Sequence, residues 1–225
     1  MIEKIHALLR GECENHLMPF FWQHGEDEAT LREYMGVIES GGCRAVCVES
    51  RPHPDFCGPR WWADMDVILD EARRRGMRVW ILDDSHFPTG FANGAVKTAP
   101  PELHRQSVCA NHAVYGGPAA EIMLDPASCK LLLDAVYEPH WQHYQADFGR
   151  TIAGFFSDEP ELGNGHIFTD ENQLGTDQDL PFAATLPPLL RESLGEDWAG
   201  QLYSSGPTTG NPPKPHEYAM FTWMP

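Results

Sequence analysis

The chain has 225 residues, 42% of them hydrophobic, with 7 Trp and 11 Phe, enough to bury the core of one large domain or two small ones. Its 33 acidic against 16 basic residues give a formal net charge of −17, a field that repels a phosphate backbone and speaks against nucleic acid as a partner. No apolar run approaches the ~20 residues of a spanning helix, so no membrane partner is expected, and the charged segment from Met1 to Gly11 lacks the apolar stretch and cleavage site of a secretory leader.

Taken in order, Leu17 to Trp22 is a short apolar run that reads as a buried strand. Acidic residues of the Gly25-Glu-Asp-Glu stretch suit a first helical turn, and Leu31, Tyr34, Met35 and Ile38 then repeat at helical spacing until Gly41-Gly42 stops them. Cys43 to Val48 is a second strand, ending at Glu49. Trp62, Met65, Ile68, Leu69 and Ala72 make a second helix face. Arg73, Arg74 and Arg75 complement the dipole of its last turn before Gly76. Trp61 and Trp62 read as packing residues. Met77 to Leu82 is a third strand, ending at Asp83-Asp84.

Residues 85–124 read as an inserted loop region between the third and fourth strands. Gly90 and Gly94 are expected at special dihedral angles, and Val108 to Tyr115 as a strand of the insertion. Asp125-Pro126 is the cap and first residue of a third helix, with Leu132, Leu133, Val136, Trp141, Tyr144 and Phe148 as its apolar positions. Pro139 is expected to kink or divide it, and Gly149 to end it. Thr151 to Phe156 is a fourth strand, running into Ser157-Asp158-Glu159-Pro160-Glu161. A polar stretch follows to Asp179, then a helix over Leu186 to Leu202 and a Pro/Gly-rich loop over Ser204 to Pro215. The closing Tyr218-Ala-Met-Phe-Thr-Trp reads as the start of a further element.

The six cysteines (Cys13, Cys43, Cys47, Cys57, Cys109, Cys129) show no CxxC pair. They read as reduced thiols of a cytoplasmic protein, Cys43 and Cys47 as small buried hydrophobes, and no metal site is expected from them. Four apolar strands alternating with amphipathic helices predict a parallel sheet and the α/β class. No GxGxxG or GxxxxGK[ST] follows the first strand, against a dinucleotide or P-loop site. Acidic residues end three of the four strands: Glu49, Asp83 with Asp84, and Asp158 with Glu159. In a (β/α)8 barrel that rim carries the active site, and carboxylates aimed at one rim cost desolvation.

The runs VWILDDSHFPTGFANG (Val79 to Gly94) and YEPHWQHYQADFGRTIAGFFSDEPE (Tyr137 to Glu161), with the opening Pro19-Phe-Phe-Trp22, resemble the catalytic barrel of α-L-rhamnosidase-type glycoside hydrolases, family 106 and its relatives. The resemblance covers about residues 17 to 203. It implies a TIM-barrel-like catalytic domain of which 1–225 is a single, partial copy, since the family's barrel runs beyond these four strands. It implies a carbohydrate substrate and glycosidic cleavage with inversion, one carboxyl protonating the leaving oxygen and another activating water. Glu159 is the leading acid or base, Asp84 and Glu49 the other catalytic candidates. Asp83, Asp158, His53, His86, Trp22 and Arg51 are candidates to bind substrate.

Each has a plainer alternative: a solvated loop carboxylate for Glu159, a turn role for Asp83 and Asp84, an ion pair for Glu49 with Arg51, ordinary loop histidines, and a core Trp22. No cofactor is expected, although the resemblance permits a calcium ion on rim carboxylates. A non-catalytic carbohydrate-binding remnant of the barrel competes with the hydrolase. A metal-dependent hydrolase is disfavoured, since no HxH or HExxH occurs. A half-barrel exposes two edge strands and apolar faces, so a homo-oligomer or a poorly soluble, inactive chain is expected.

Overall fold

The computed structural model describes residues 2–10, 17–109, 112–116, 125–160 and 180–196. Its elements are α1 (Ile2–Leu9), β1 (Phe20–Gln23), α2 (Glu28–Ser40), β2 (Ala45–Ser50), α3 (Pro59–Arg75), β3 (Arg78–Leu82), β4 (Gln106–Cys109), β5 (His112–Gly116), α4 (Pro126–Leu132), α5 (Glu138–Tyr144), β6 (Ile152–Phe156), β7 (Leu180–Phe182) and α6 (Leu186–Leu194). The chain divides into two compact units, one of residues 1–95 with 130–160, the other of 96–129 with 161–225.

The first unit is built on a four-stranded parallel sheet in the order β1-β2-β3-β6. Each strand is a short run of β-branched, aromatic and sulfur-bearing residues, and each connection carries a helix, as parallel pairing requires. Asp27 caps α2, its carboxylate accepting from the Thr30 N–H at 2.9 Å. Leu31 and Met35 are buried, and Tyr34 of the expected face is half exposed, its ring edge to face with Phe21. Pro59 opens α3, and Gly76, with φ of +64°, closes it in the left-handed region. Trp61, Met65, Ile68, Leu69 and Ala72 are buried along one side.

By strand register, Phe21, Val48, Ile81 and Phe155 share one face of the sheet with Val46, Val79 and Ile152. The core lies on this face. The opposite face carries Phe20, Cys47, Trp80 and Gly154 in one row, and Trp22, Glu49, Leu82 and Phe156 in the next. A bulge at Ala153 puts Gly154 beside Trp80. A Cβ there would stand 3.2 Å from the indole. The rings of Phe20 and Phe156 meet edge to face, centroids 5.4 Å apart. Their strands are three spacings apart, about 14 Å in a flat sheet. The sheet is therefore curved towards this face.

The third helix is divided, as expected, near Pro139: residues 126–144 run on in helical conformation, but a π turn separates α4 from α5, and Pro139 stands in the first turn of α5. A π turn over Leu133–Tyr137 precedes the proline, closed by the Glu138 N–H on the Leu133 carbonyl. The wider turn accommodates the ring and the missing donor. It also resets the phase: Leu132, Val136, His140 and Tyr144, four residues apart, are buried, while Leu133 and Trp141 face solvent.

The second unit contains a three-stranded antiparallel sheet, β5-β4-β7. The strand expected over Val108 to Tyr115 is thus two, β4 and β5. The helix expected over Leu186 to Leu202 is described as Leu186–Leu194, stopped by Gly195 at φ +87°. Residues 197–225, including the expected loop and the final apolar patch, lie outside the described residues. The α1 helix was not expected from the sequence. Cys47 is buried, Cys43 only partly, and Cys43, Cys47, Cys57 and Cys129 form no disulfide. Cys13 lies outside the described residues, as does the side chain of Cys109. Among the described residues no helix is long and apolar enough to cross a membrane.

Candidate active site

Parallel register sets the strand ends level. Trp22 pairs with Glu49, Gln23 with Ser50, Val48 with Ile81 and Leu82 with Phe156. Glu49, Asp83 with Asp84, and Asp158 with Glu159 therefore all leave the C-terminal edge of one sheet. Pleat then separates them. Glu49 shares the concave aromatic face with Trp22, whereas Asp83 continues the row of Gln23 and Ser50, on the face that carries the core.

Glu49 is 2% exposed. Burial pushes its carboxyl above the usual range. The bond from Trp22 and the charge of Arg51 oppose the shift, and the charge of Asp158 adds to it. Arg51 Nη1 lies 2.9 Å from Glu49 Oε1, an ion pair whose geometry gives that oxygen no hydrogen bond. The Arg51 guanidinium also lies over two rings, its Cζ 5.1 Å from the centroid of Trp22 and 5.4 Å from that of Phe87. Trp22 is half exposed. Cys47, one row below on the same face, is pushed up to about 12 by burial and by the charges of Glu49, Asp158 and Asp83. Its thiol is inert.

The two neighbouring aspartates have separate environments. Asp83 accepts from Thr89 Oγ1 at 2.6 Å and from the Tyr137 hydroxyl at 2.7 Å. Burial raises its proton affinity, against bonds from Thr89, Tyr137 and Ser157. Asp84 holds a ring of main-chain donors: the N–H groups of Ser85 and Asn93 reach Oδ1 at 2.7 and 2.8 Å, and those of Gly90 and Ala92 reach Oδ2 at 2.9 and 2.8 Å. The loop closes around this carboxylate, with Ala92, Asn93 and Gly94 in the left-handed region and Gly90 at φ +140°. Both glycines expected at special dihedrals are found there.

Thr89 fastens that loop to the end of β6. Besides its bond to Asp83, its hydroxyl accepts from the Asp158 N–H at 2.9 Å and its own N–H reaches the Asp158 carbonyl at 2.9 Å. Glu159 follows, exposed to solvent at φ +42°, a costly conformation for a residue with a Cβ. His53 is buried. Its Nδ1 accepts from the Asp55 N–H at 3.1 Å, so Nε2 carries the proton directed at Asp64 Oδ2, 2.9 Å away. It ties the loop after β2 to α3. His86 is exposed, bonded to the Phe87 carbonyl and tilted against Phe91.

The structure thus brings Glu49, Arg51 and Trp22 together on one face, with Asp158 close enough to act on Glu49. His53 and Asp84 are turned to holding loops. Thr89, Tyr137 and Phe87 contribute without having been singled out, although all three lie in the motif runs quoted above. Among the described residues no group of three His, Cys, Asp or Glu side chains is placed to hold a metal ion.

No protein-family model matches the chain, and no curated protein matches it. Among solved structures it is similar to the catalytic domain of a β-amylase from Paenibacillus polymyxa, at 10% identity and a TM-score of 0.48, over 89% of this chain and 54% of that one. The chain spans about half the length of that structure. At this level the likeness identifies neither a family nor an activity.

Proposed function

We propose that the rim is the substrate site of a glycoside hydrolase whose curved parallel sheet is the first half of a (β/α)8-type barrel. One observation carries the reading: a buried carboxyl of raised proton affinity, Glu49, stands beside a half-exposed Trp22 on the concave face, at the C-terminal end of four level parallel strands. A carboxyl kept partly protonated serves as a general acid, and an indole face fits the apolar C–H face of a sugar ring. Glu159 and Glu49 are the acid–base pair. Asp158 tunes Glu49. Asp83 and Asp84 position the loop through Thr89 and the main chain. Arg51, His86 and Trp22 face the substrate, and His53 supports the wall behind them. Inversion, which the motif resemblance implies, requires two carboxyls about 6.5–9.5 Å apart with a water between.

A second reading, carbohydrate binding without hydrolysis, is favoured by one contact: the Arg51 guanidinium, 2.9 Å from Glu49, works against the protonated form that an acid needs. Reducing-sugar release from a panel of aryl glycosides, α-L-rhamnosides included, separates the two. Glu159→Gln and Glu49→Gln should each lower turnover by roughly 10²-fold with folding intact by circular dichroism. Unchanged turnover in both variants removes the rim from the chemistry. Sugar binding without turnover in the unaltered chain selects the second reading.

A further inference from the structure

We propose that the Arg51 guanidinium occupies the place of the substrate's sugar ring against Trp22 and Phe87, so that a neutral sugar binds by displacing it. The inference rests on the carbohydrate reading above and names the class of sugar. Three contacts carry it. The guanidinium lies over Trp22 at 5.1 Å and over Phe87 at 5.4 Å, spacings within the roughly 4.5–7 Å at which flat rings stack. Both rings keep exposed surface, so the guanidinium covers them without sealing them. The third contact is the ion pair with Glu49, 2.9 Å long and without hydrogen-bond geometry at the carboxylate oxygen. Such a pair is more easily parted than a bidentate one.

A ring face holds one partner. A pyranose stacked where the cation sits drives Arg51 out and breaks its pair with Glu49. Glu49 then keeps the repulsion of the Asp158 charge without its counter-charge, which favours its protonated form. Sugar binding thereby strengthens the acid form that the paired state weakens, and the two readings of the Glu49–Arg51 contact become successive states of one site.

The displaced sugar-binding mode fits a neutral ring and not a uronic acid. Arg51 is already neutralised by Glu49, and the rim around it carries Asp158 and Glu159 on a chain of net charge −17. An anionic sugar would meet repulsion once the guanidinium left.

The experiment uses the full chain labelled with ¹⁵N-arginine, titrated with neutral methyl pyranosides and, separately, with methyl glucuronide. A neutral glycoside should shift the Arg51 Nε signal, and glucuronide should bind more weakly. Arg51→Gln should bind the neutral glycoside roughly threefold to tenfold tighter, since no cation has to leave before the ring stacks. Trp22→Ala should abolish binding. A neutral glycoside that binds without moving the Arg51 signal overturns the inference and leaves the carbohydrate reading standing. So does a glucuronide that binds better than its neutral counterpart and loses affinity in Arg51→Gln. Failure of every glycoside to bind either protein overturns both. The Arg51 signal of the unaltered chain decides the question even where Arg51→Gln fails to fold.

Discussion

Asp84 and His140 are buried polar residues whose surroundings explain them without chemistry on a substrate. Four main-chain N–H groups converge on Asp84, and two of them belong to Ala92 and Asn93, held in the left-handed region. Asp84→Asn replaces one acceptor oxygen with a donor facing N–H groups. We expect it to cost about 2 kcal/mol of stability and to loosen residues 85–94, read as a lower urea midpoint and faster amide exchange at Gly90 and Ala92. An unaltered midpoint with lost turnover would instead make Asp84 a reacting group. His140 is wholly buried, its Nε2 accepting from Trp61 at 3.0 Å and its Nδ1 directed at the Val136 carbonyl at 2.7 Å. Burial lowers it to about 4, against the Val136 bond and with the charge of His143. The folded value lies below the unfolded one of about 6.5. Its contribution is therefore intact above pH 6.5 and is lost as pH falls from there to about 4, some 3 kcal/mol in all. Glu49 and Asp83, raised by burial, run the opposite way. Urea midpoints at pH 7, 5.5 and 4.5 should fall more steeply in the unaltered chain than in His140→Gln. Parallel curves would contradict the assignment.

Among the elements, α2 and α3 are joined by a charge cluster around one buried carboxylate. Glu71 takes Arg32 at 2.7 Å from α2, and Arg75 at 2.8 Å and Arg74 from its own helix. Burial raises its proton affinity, and the bonds from Arg32 and Arg75 more than cancel that, leaving it lowered. Glu71→Gln strands three guanidiniums that keep partial access to water. Their exposure discounts the usual 3–5 kcal/mol for breaking a buried pair to about 2 kcal/mol, measured by urea unfolding in low salt. A loss under 0.5 kcal/mol would mean that Asp70 and Glu39 take over the arginines.

The triple arginine was legible in the sequence as a dipole complement, but its distant partners were not, because Glu39 and Asp147 lie 36 and 74 residues from Arg75 and Arg73. The same divide runs through the fold. Alternating apolar runs and helical faces were legible because they are local patterns, and they predict the order and the parallel sense of the four strands. The π turn was not, since its register depends on how residues 132–144 meet their neighbours. At the site, Glu49, Asp83 and Trp22 were legible as strand ends. The bridging role of Thr89 needs Asp83 and Asp158, which are 75 residues apart, to be brought together.

At the scale of the whole molecule, charge and exposed apolar surface oppose each other. Among the described residues β1 has a strand neighbour on one side only, and the far side of β6 carries only a bridge from Ile152 to Phe148, while Phe20 and Trp22 are 49% and 50% exposed on the concave face. Unpaired edges and a contiguous aromatic patch favour association. The net charge of −17 works the other way, keeping copies apart at low ionic strength. That repulsion is screened as salt rises: the Debye length falls from about 30 Å at 0.01 M to about 3 Å at 1 M, whereas apolar contact persists. We therefore expect light scattering to report an association that grows with sodium chloride, the reverse of an ion-paired interface. Replacing Phe20 and Trp22 by serine should return the high-salt sample towards the monomer. A mass equal to one chain from 0.01 to 1 M salt would show the concave face to be covered in solution. An association that weakens with salt would place the contact on charged surface instead.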